Sequence, residues 1–127
     1  MKLVVDTNRY SDLVRSVPEA LEQFQLAETI YVPFSVLAEL KGGFLAGSRR
    51  AENEHFLKSF LASSRVVVLH PDAATVEHYA ALFLQLRRQG TPIPSHDMWV
   101  AALTLQHGLT LYARDRHFDH IPQLQRI

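Results

Sequence analysis

At 127 residues, with 47% hydrophobic and 20% charged positions, the chain has the length and composition of one globular domain, not of a disordered or fibrous protein. Its 13 Lys and Arg balance 13 Asp and Glu, so no overall field singles out nucleic acid or a membrane as partner, and only local patches could do so. The absence of cysteine excludes disulfides, thiolate metal sites and a cysteine nucleophile, and suits a reducing compartment.

The opening MKLVVDTNRY has too short an apolar core for a secretory signal, and no stretch is long and apolar enough to span a membrane, so a cytoplasmic protein is expected. Within it, KLVVD reads as a short buried strand running into a loop, and TNRYSDLVRS as a helix by the spacing of Tyr10, Leu13 and Val14. Pro18 suits the first turn of a further helix, PEALEQFQLAE, because the N–H it lacks would be unpaired there. TIYVP is a second strand. Ser35 is placed to cap the helix SVLAELKGGFLAG, which Gly42 and Gly43 weaken in its later half. RRAENEHFLKSFLASS is a charged amphipathic helix with Phe56, Leu57, Phe60 and Leu61 on its inner face. The continuous apolar run of RVVVLH suits a parallel strand covered on both faces. PDAATVEHYAALFLQLRRQG is a long helix stopped by Gly90, and after the turn TPIP comes the helix SHDMWVAALTLQHG. LTLYA is a fourth strand, and RDRHFDHIPQLQRI forms a loop with a short helix and an edge strand. Strands alternating with helices imply right-handed βαβ units, and hence one α/β domain over residues 1–127 with a mostly parallel sheet of four to five strands between helices.

Four carboxylates sit where the apolar pattern favours something else. Asp6 ends the first strand, and Asp115 lies two residues beyond the LTLYA run, on the edge of an open α/β sheet where ligands bind. Glu39 and Asp97 each fall near the start of an apolar helix that packs on the sheet. If those helices begin at the same edge, the four acids converge and repel one another. A divalent cation removes the repulsion. Oxygen donors without cysteine point to Mg²⁺ or Mn²⁺, which can activate a water and stabilise an in-line displacement at phosphorus. The chemistry that follows is phosphodiester hydrolysis. Each acid also has a structural alternative: Asp6 as a helix cap, Glu39 on a solvated face beside Lys41, Asp97 as a first-turn acid with Ser95 as cap, and Asp115 in a turn. The ordered combination, more than any single position, carries the metal reading.

VVDTN, FSVLAEL, IPSHDMWVAAL and LYARDRHFDHIPQL follow the order and approximate spacing of the PIN-domain family, and the chain resembles its VapC-type toxin ribonucleases nearly end to end. By motif, Asp6, Glu39, Asp97 and Asp115 match the family's acidic metal-binding quartet. The resemblance implies a compact α/β/α sandwich and a metal-dependent endoribonuclease acting on RNA, often tRNA or rRNA. It also implies a homodimer and a cognate antitoxin that covers or enters the acidic groove. The chain departs from the pattern at His96, where the family usually has Asn or another small polar residue, and at Ala113, where it often has Thr or Ser.

Around the acids, Thr7 and Asn8 could hydrogen-bond a metal-bound water or a neighbouring carboxylate, or cap the next helix. Arg9, His96, Arg114 and Arg116 are candidate contacts to RNA phosphate, against the alternative of a solvated loop with salt bridges. The histidines of RDRHFDHIP admit zinc, but no second cluster completes a tetrahedral set. Trp99, Phe83, Tyr79 and Leu86 read as core or dimer interface. Two other functions stay open. VVDTN could be the nucleophile strand of a haloacid-dehalogenase-like phosphatase, although Asn8 stands where that chemistry wants a second aspartate. The chain could also be a catalytically weak PIN-like protein that binds RNA or a partner without cutting.

Overall fold

The computed structural model describes residues 1–127. Five strands, β1 (Lys2–Val5), β2 (Thr29–Pro33), β3 (Val66–Leu69), β4 (Thr110–Tyr112) and β5 (Gln125–Arg126), form one sheet in the order β3-β2-β1-β4-β5. Every pairing is parallel, with Val4 of β1 in register with Tyr31 of β2 on one side and Leu111 of β4 on the other. Central β1 explains its own sequence: Leu3, Val4 and Val5 are fully buried, as β-branched and aliphatic residues are in a strand covered on both faces.

Helices α1 (Thr7–Val14) and α2 (Pro18–Leu26) connect β1 to β2, α3 (Phe34–Ala46) and α4 (Arg50–Leu61) connect β2 to β3, and α5 (Ala73–Gln89) and α6 (Ser95–Gln106) return the chain to β4. Right-handed crossovers put α1 to α4 on one face and α5 and α6 on the other, because the chain reverses direction along the sheet after β3. That reversal leaves β1 and β4 as neighbours whose connections leave in opposite directions. In such sheets the crevice beyond their carboxyl ends is where ligands bind.

The elements form for local reasons. Asp6 caps α1 by accepting the Arg9 backbone N–H at 2.9 Å, and Pro18 occupies the first turn of α2. Asp72 and Thr75 make a reciprocal capping box at the start of α5. α6 is the most enclosed helix, with Val100, Ala101, Ala102 and Leu103 fully buried, so its small residues let it lie close to the sheet. Gly90 ends α5 in the left-handed conformation, φ 71°. A Cβ there meets nothing within 4 Å, so Gly90→Ala carries backbone strain alone. It is expected to cost about 1 kcal/mol, or roughly 3–5 °C in the melting midpoint. An unchanged midpoint in calorimetry would show that the turn carries no such strain.

Four expectations from the sequence require correction. Ser35 and Ser95 are not caps: α3 and α6 begin after Pro33 and Pro94, and neither helix has a side-chain cap bond. The two prolines end the preceding extended segments and fix the helix start earlier than a serine cap allows, by two residues in α3 and by one in α6. Ser95 instead pairs its hydroxyl with that of Tyr79 at 2.9 Å. β3 is not covered on both faces. It is the outer strand of the sheet, and Val67 is exposed. On α4, Leu57 is buried while Phe56 is exposed at the helix flank, its ring edge-on to Tyr10 at 6.2 Å.

Candidate metal centre

The acids arrive at the crevice from four elements. Asp6 follows β1 directly, Asp115 follows β4 and opens the 3₁₀ turn Arg116–His120, Asp97 stands in the first turn of α6, and Glu39 in the second turn of α3. Both helices start at the carboxyl edge of the sheet. α3 does so because it leaves β2, and α6 because it must run back down before β4 rises.

Asp6 is 6% exposed, and burial pushes its carboxyl up from 3.8 to about 6. The Arg9 backbone N–H and the Arg9 and Arg114 charges act against this rise, while the nearby Asp115 charge adds to it. Asp97, 9% exposed, is also raised, by burial first and by Asp115 as well, against a hydrogen bond from His117. Asp115 accepts the His117 backbone N–H at 2.9 Å, which caps the 3₁₀ turn. The His117 imidazole stands between the two acids, its Nδ1 2.7 Å from Asp97 Oδ2 and 3.1 Å from Asp115 Oδ1.

Asp97, Asp115 and His117 thus offer three donor atoms within 4.8 Å of one another. Adjacent ligands of a small octahedral cation lie about 3 Å apart, and the spacings around His117 are of that size. Two carboxylate oxygens with an imidazole nitrogen suit Mn²⁺ and, less closely, Mg²⁺. Next to Asp6, Thr7 Oγ1 is buried without a hydrogen-bond partner, an orphan that a coordinated water would satisfy.

Of the four carboxylates only Asp97 and Asp115 belong to that close group: Asp6 stands apart from it, near enough to feel the Asp115 charge, and Glu39 lies outside it. Glu39 has half its side chain in solvent and pairs with His96, Nε2 to Oε2 at 3.3 Å. Its neighbour Lys41 is engaged elsewhere, with Glu54 at 2.7 Å. His96 therefore links Glu39 to the start of α6. Ala113 is buried, and its carbonyl accepts a bond from Arg126 of β5 at 3.1 Å, as does the Asp115 carbonyl at 3.3 Å. Arg126 also pairs with Asp119, so the loop is held through its backbone.

Of the basic candidates, Arg9 is committed: its guanidinium meets Asp12 at 3.4 Å and Glu19 at 3.6 Å and lies over the Tyr112 ring, 4.2 Å from its centre. Arg114 is half exposed and pairs with Asp12 at 3.0 Å, while Arg116 is exposed. Asn8 is exposed on α1. Trp99 stacks on Tyr79 with centroids 4.3 Å apart and meets Phe34 edge-on at 5.9 Å. Sequence reasoning missed the place of His117 between two acids and the buried Asp12. The spacing Asp115-x-His117 on a tight turn was the available signal for the first. Nothing in the sequence separates Asp12 from an ordinary helix-surface acid.

The PIN domain pattern matches residues 3–124. Ribonuclease VapC1 of Haemophilus influenzae (strain R2866) is 30% identical over 131 residues, an alignment spanning 98% of this chain and 96% of that protein. The tRNA(fMet)-specific endonuclease VapC of Salmonella typhimurium is 27% identical over 98% of this chain and 96% of its own length. Among solved structures, VapBC2 from Rickettsia felis bound to a DNA fragment from its promoter superposes with a TM-score of 0.89 at 25% identity, covering 100% of this chain and 98% of that one. An end-to-end match in sequence and fold, with acids at the switch between β1 and β4, makes the chain a member of the PIN-domain family, of the VapC ribonuclease kind.

Proposed function

We propose that residues 1–127 act as one PIN-like unit, a divalent-metal-dependent endoribonuclease that hydrolyses RNA phosphodiester bonds as the toxin of a toxin–antitoxin pair. One observation carries the reading. Two carboxylates, Asp6 and Asp97, are buried at a cost to their ionised forms and are set beside a third, Asp115, at the sheet's topological switch. A fold keeps unfavourable charges together when a ligand repays them.

Asp6, Asp97 and Asp115 would hold Mg²⁺ or Mn²⁺, with His117 able to supply a nitrogen and Glu39 to reach in on release from His96. When bound, the cation lowers the pKa of a water and offsets charge developing on the phosphate. The other roles belong to side chains. Thr7 Oγ1 has a free hydroxyl with which to orient that water. Arg116 and the exposed part of Arg114 flank Asp115 and can hold an RNA phosphate across the centre. Arg9, with its charge committed inside the protein, supports the framework more than it contacts RNA. The phosphatase alternative loses its footing at Asn8, which is not an acid and points to solvent from α1.

The relative specific for tRNA(fMet) makes tRNA the first substrate to try, and the VapBC neighbour makes a cognate antitoxin the expected partner. A homodimer belongs to the same reading, with the exposed Val76, Phe83 and Leu84 of α5 as its apolar contact. No helix is long and apolar enough to cross a membrane, and we infer a cytoplasmic setting.

The test is incubation of the purified protein with total RNA and tRNA in Mn²⁺, Mg²⁺ or EDTA. Discrete products in the metal lanes, absent with EDTA, are expected. Intact tRNA and rRNA in every lane, with metal bound, would favour a protein that binds without cutting.

A further inference from the structure

We propose that Asp12 is a positioning residue for the metal centre: its buried carboxylate keeps the guanidiniums of Arg9 and Arg114 off the acidic edge and ties the Asp115 loop to α1. The proposal rests on the metal-dependent nuclease reading above.

Asp12 is 5% exposed, and a buried carboxylate persists only with partners. It has two, one for each oxygen. Arg9 Nη1 lies 3.4 Å from Oδ2, within α1, and Arg114 Nη2 donates to Oδ1 at 3.0 Å across 102 residues of sequence. Arg114 directly precedes Asp115, so the second bond adds a side-chain tie to α1 for the loop from which Asp115 projects, whose Ala113 and Asp115 carbonyls Arg126 holds. Arg9 repeats the tie at a second point, lying 4.2 Å over the ring of Tyr112, the last residue of β4. α1 begins at Asp6, and β4 leads to Asp115. Beyond the β1–β4 ladder, two side-chain links between these arms of the crevice pass through arginines held by Asp12.

The charges give the arrangement a further consequence. Arg9 and Arg114 lie close enough to Asp6 to favour its ionised form. A guanidinium freed from Asp12 has an obvious alternative partner in Asp6 or Asp115, where a bidentate pair would occupy the oxygens a cation needs. Asp12 supplies the competing carboxylate that keeps those oxygens available.

The test is Mn²⁺ binding by the purified protein without RNA, followed by electron paramagnetic resonance of the free ion. Asp12→Asn keeps the shape and removes the charge; it is expected to weaken Mn²⁺ binding about tenfold, a loss of the size that follows when a group behind the metal ligands is removed. Adding Arg114→Gln to it removes the Arg114 competitor, Arg9 still having Glu19 at 3.6 Å, and is expected to restore Mn²⁺ affinity to within about twofold. A residue that merely supports the fold gives no such rescue. Arg114→Gln alone leaves Asp12 paired with Arg9 and releases no guanidinium, so it should bind Mn²⁺ as the parent does and speed hydrogen exchange at the His117 amide, while the loss of its phosphate contact raises KM for RNA. This single variant keeps the proposal open to disproof should Asp12→Asn fail to fold. Normal Mn²⁺ affinity in Asp12→Asn, a double variant no tighter than the single, or an Arg114→Gln protein with unchanged exchange at His117 would each overturn the role of Asp12. Absence of Mn²⁺ binding in the unaltered protein would overturn the metal reading along with it.

Discussion

Asp97→Asn is expected to lower metal-dependent RNA cleavage by at least about 100-fold, the upper end of what removing even an outer-shell partner costs, while leaving the metal-free protein as stable as before or more so. The sign of the stability change follows from two opposed effects at the first turn of α6. An acid there gains from the helix dipole, typically 0.3–1 kcal/mol. Against that gain, Asp97 is almost wholly buried and has the Asp115 charge nearby, and burial is the larger influence, since the carboxyl is raised and not lowered. Asparagine relieves the buried charge and retains an oxygen that can accept from His117 Nδ1, now 2.7 Å from the carboxylate. In EDTA the melting midpoint should hold or rise by a few degrees, and the shift produced by saturating Mn²⁺ should shrink. A marked loss of stability in EDTA would mean that Asp97 is there to start the helix, and the metal assignment would lose its main support.

The same residue shows how much the sequence discloses. The interruption of an apolar helix by Asp97 is visible in the one-dimensional pattern, as are the strand ending in Asp6 and the alternation that yields a parallel sheet, because burial and periodicity act locally. The opposite edges are less legible. RVVVLH has the composition of an interior strand, yet β3 ends the sheet, and only the order β3-β2-β1-β4-β5 reveals that one flank lacks a neighbour. Serine caps at residues 35 and 95 were reasonable by residue type but lose to the prolines before them, whose fixed φ ends the extended segment and starts the helix at once. The convergence of the acids depends on long-range geometry, and so do its exceptions. Glu39 turns to His96, and His117 moves into the position between Asp97 and Asp115 because a tight 3₁₀ turn brings its ring back over its own cap. Asp12 acquires meaning only when a residue 102 positions away is found against it.

Asp6 carries the second large effect, a stability that depends on pH with a sign opposite to that of most native carboxylates. In the unfolded chain its carboxyl titrates near 3.8; in the metal-free fold burial raises it to about 6. Below 3.8 both states are protonated and the group makes no difference. Between those values the native state holds a proton the unfolded chain has lost. Above 6 the folded protein carries the whole cost of a buried anion, roughly 3 kcal/mol for the full rise. The contribution of Asp6 to metal-free stability is therefore lost as pH climbs from about 4 to about 6. Asp6→Asn should remove this loss and melt higher than the parent at pH 7 in EDTA, with the advantage vanishing near pH 4. Asparagine also caps as well as aspartate does, so the Arg9 N–H at 2.9 Å keeps its acceptor. Asp6→Ala removes the cap too, which costs about 1 kcal/mol and should offset part of the gain. Metal reverses the trend because it binds the ionised form. Mn²⁺ affinity is expected to rise about tenfold from pH 5 to pH 7, following the ionised fraction of a group that titrates near 6. The difference between parent and Asp6→Asn, measured across pH with and without Mn²⁺, isolates the contribution of Asp6. If Asp6→Asn is destabilised in EDTA at pH 7 as much as Asp6→Ala, the carboxylate exists to hold α1, and the charge it keeps buried has no ligand to meet.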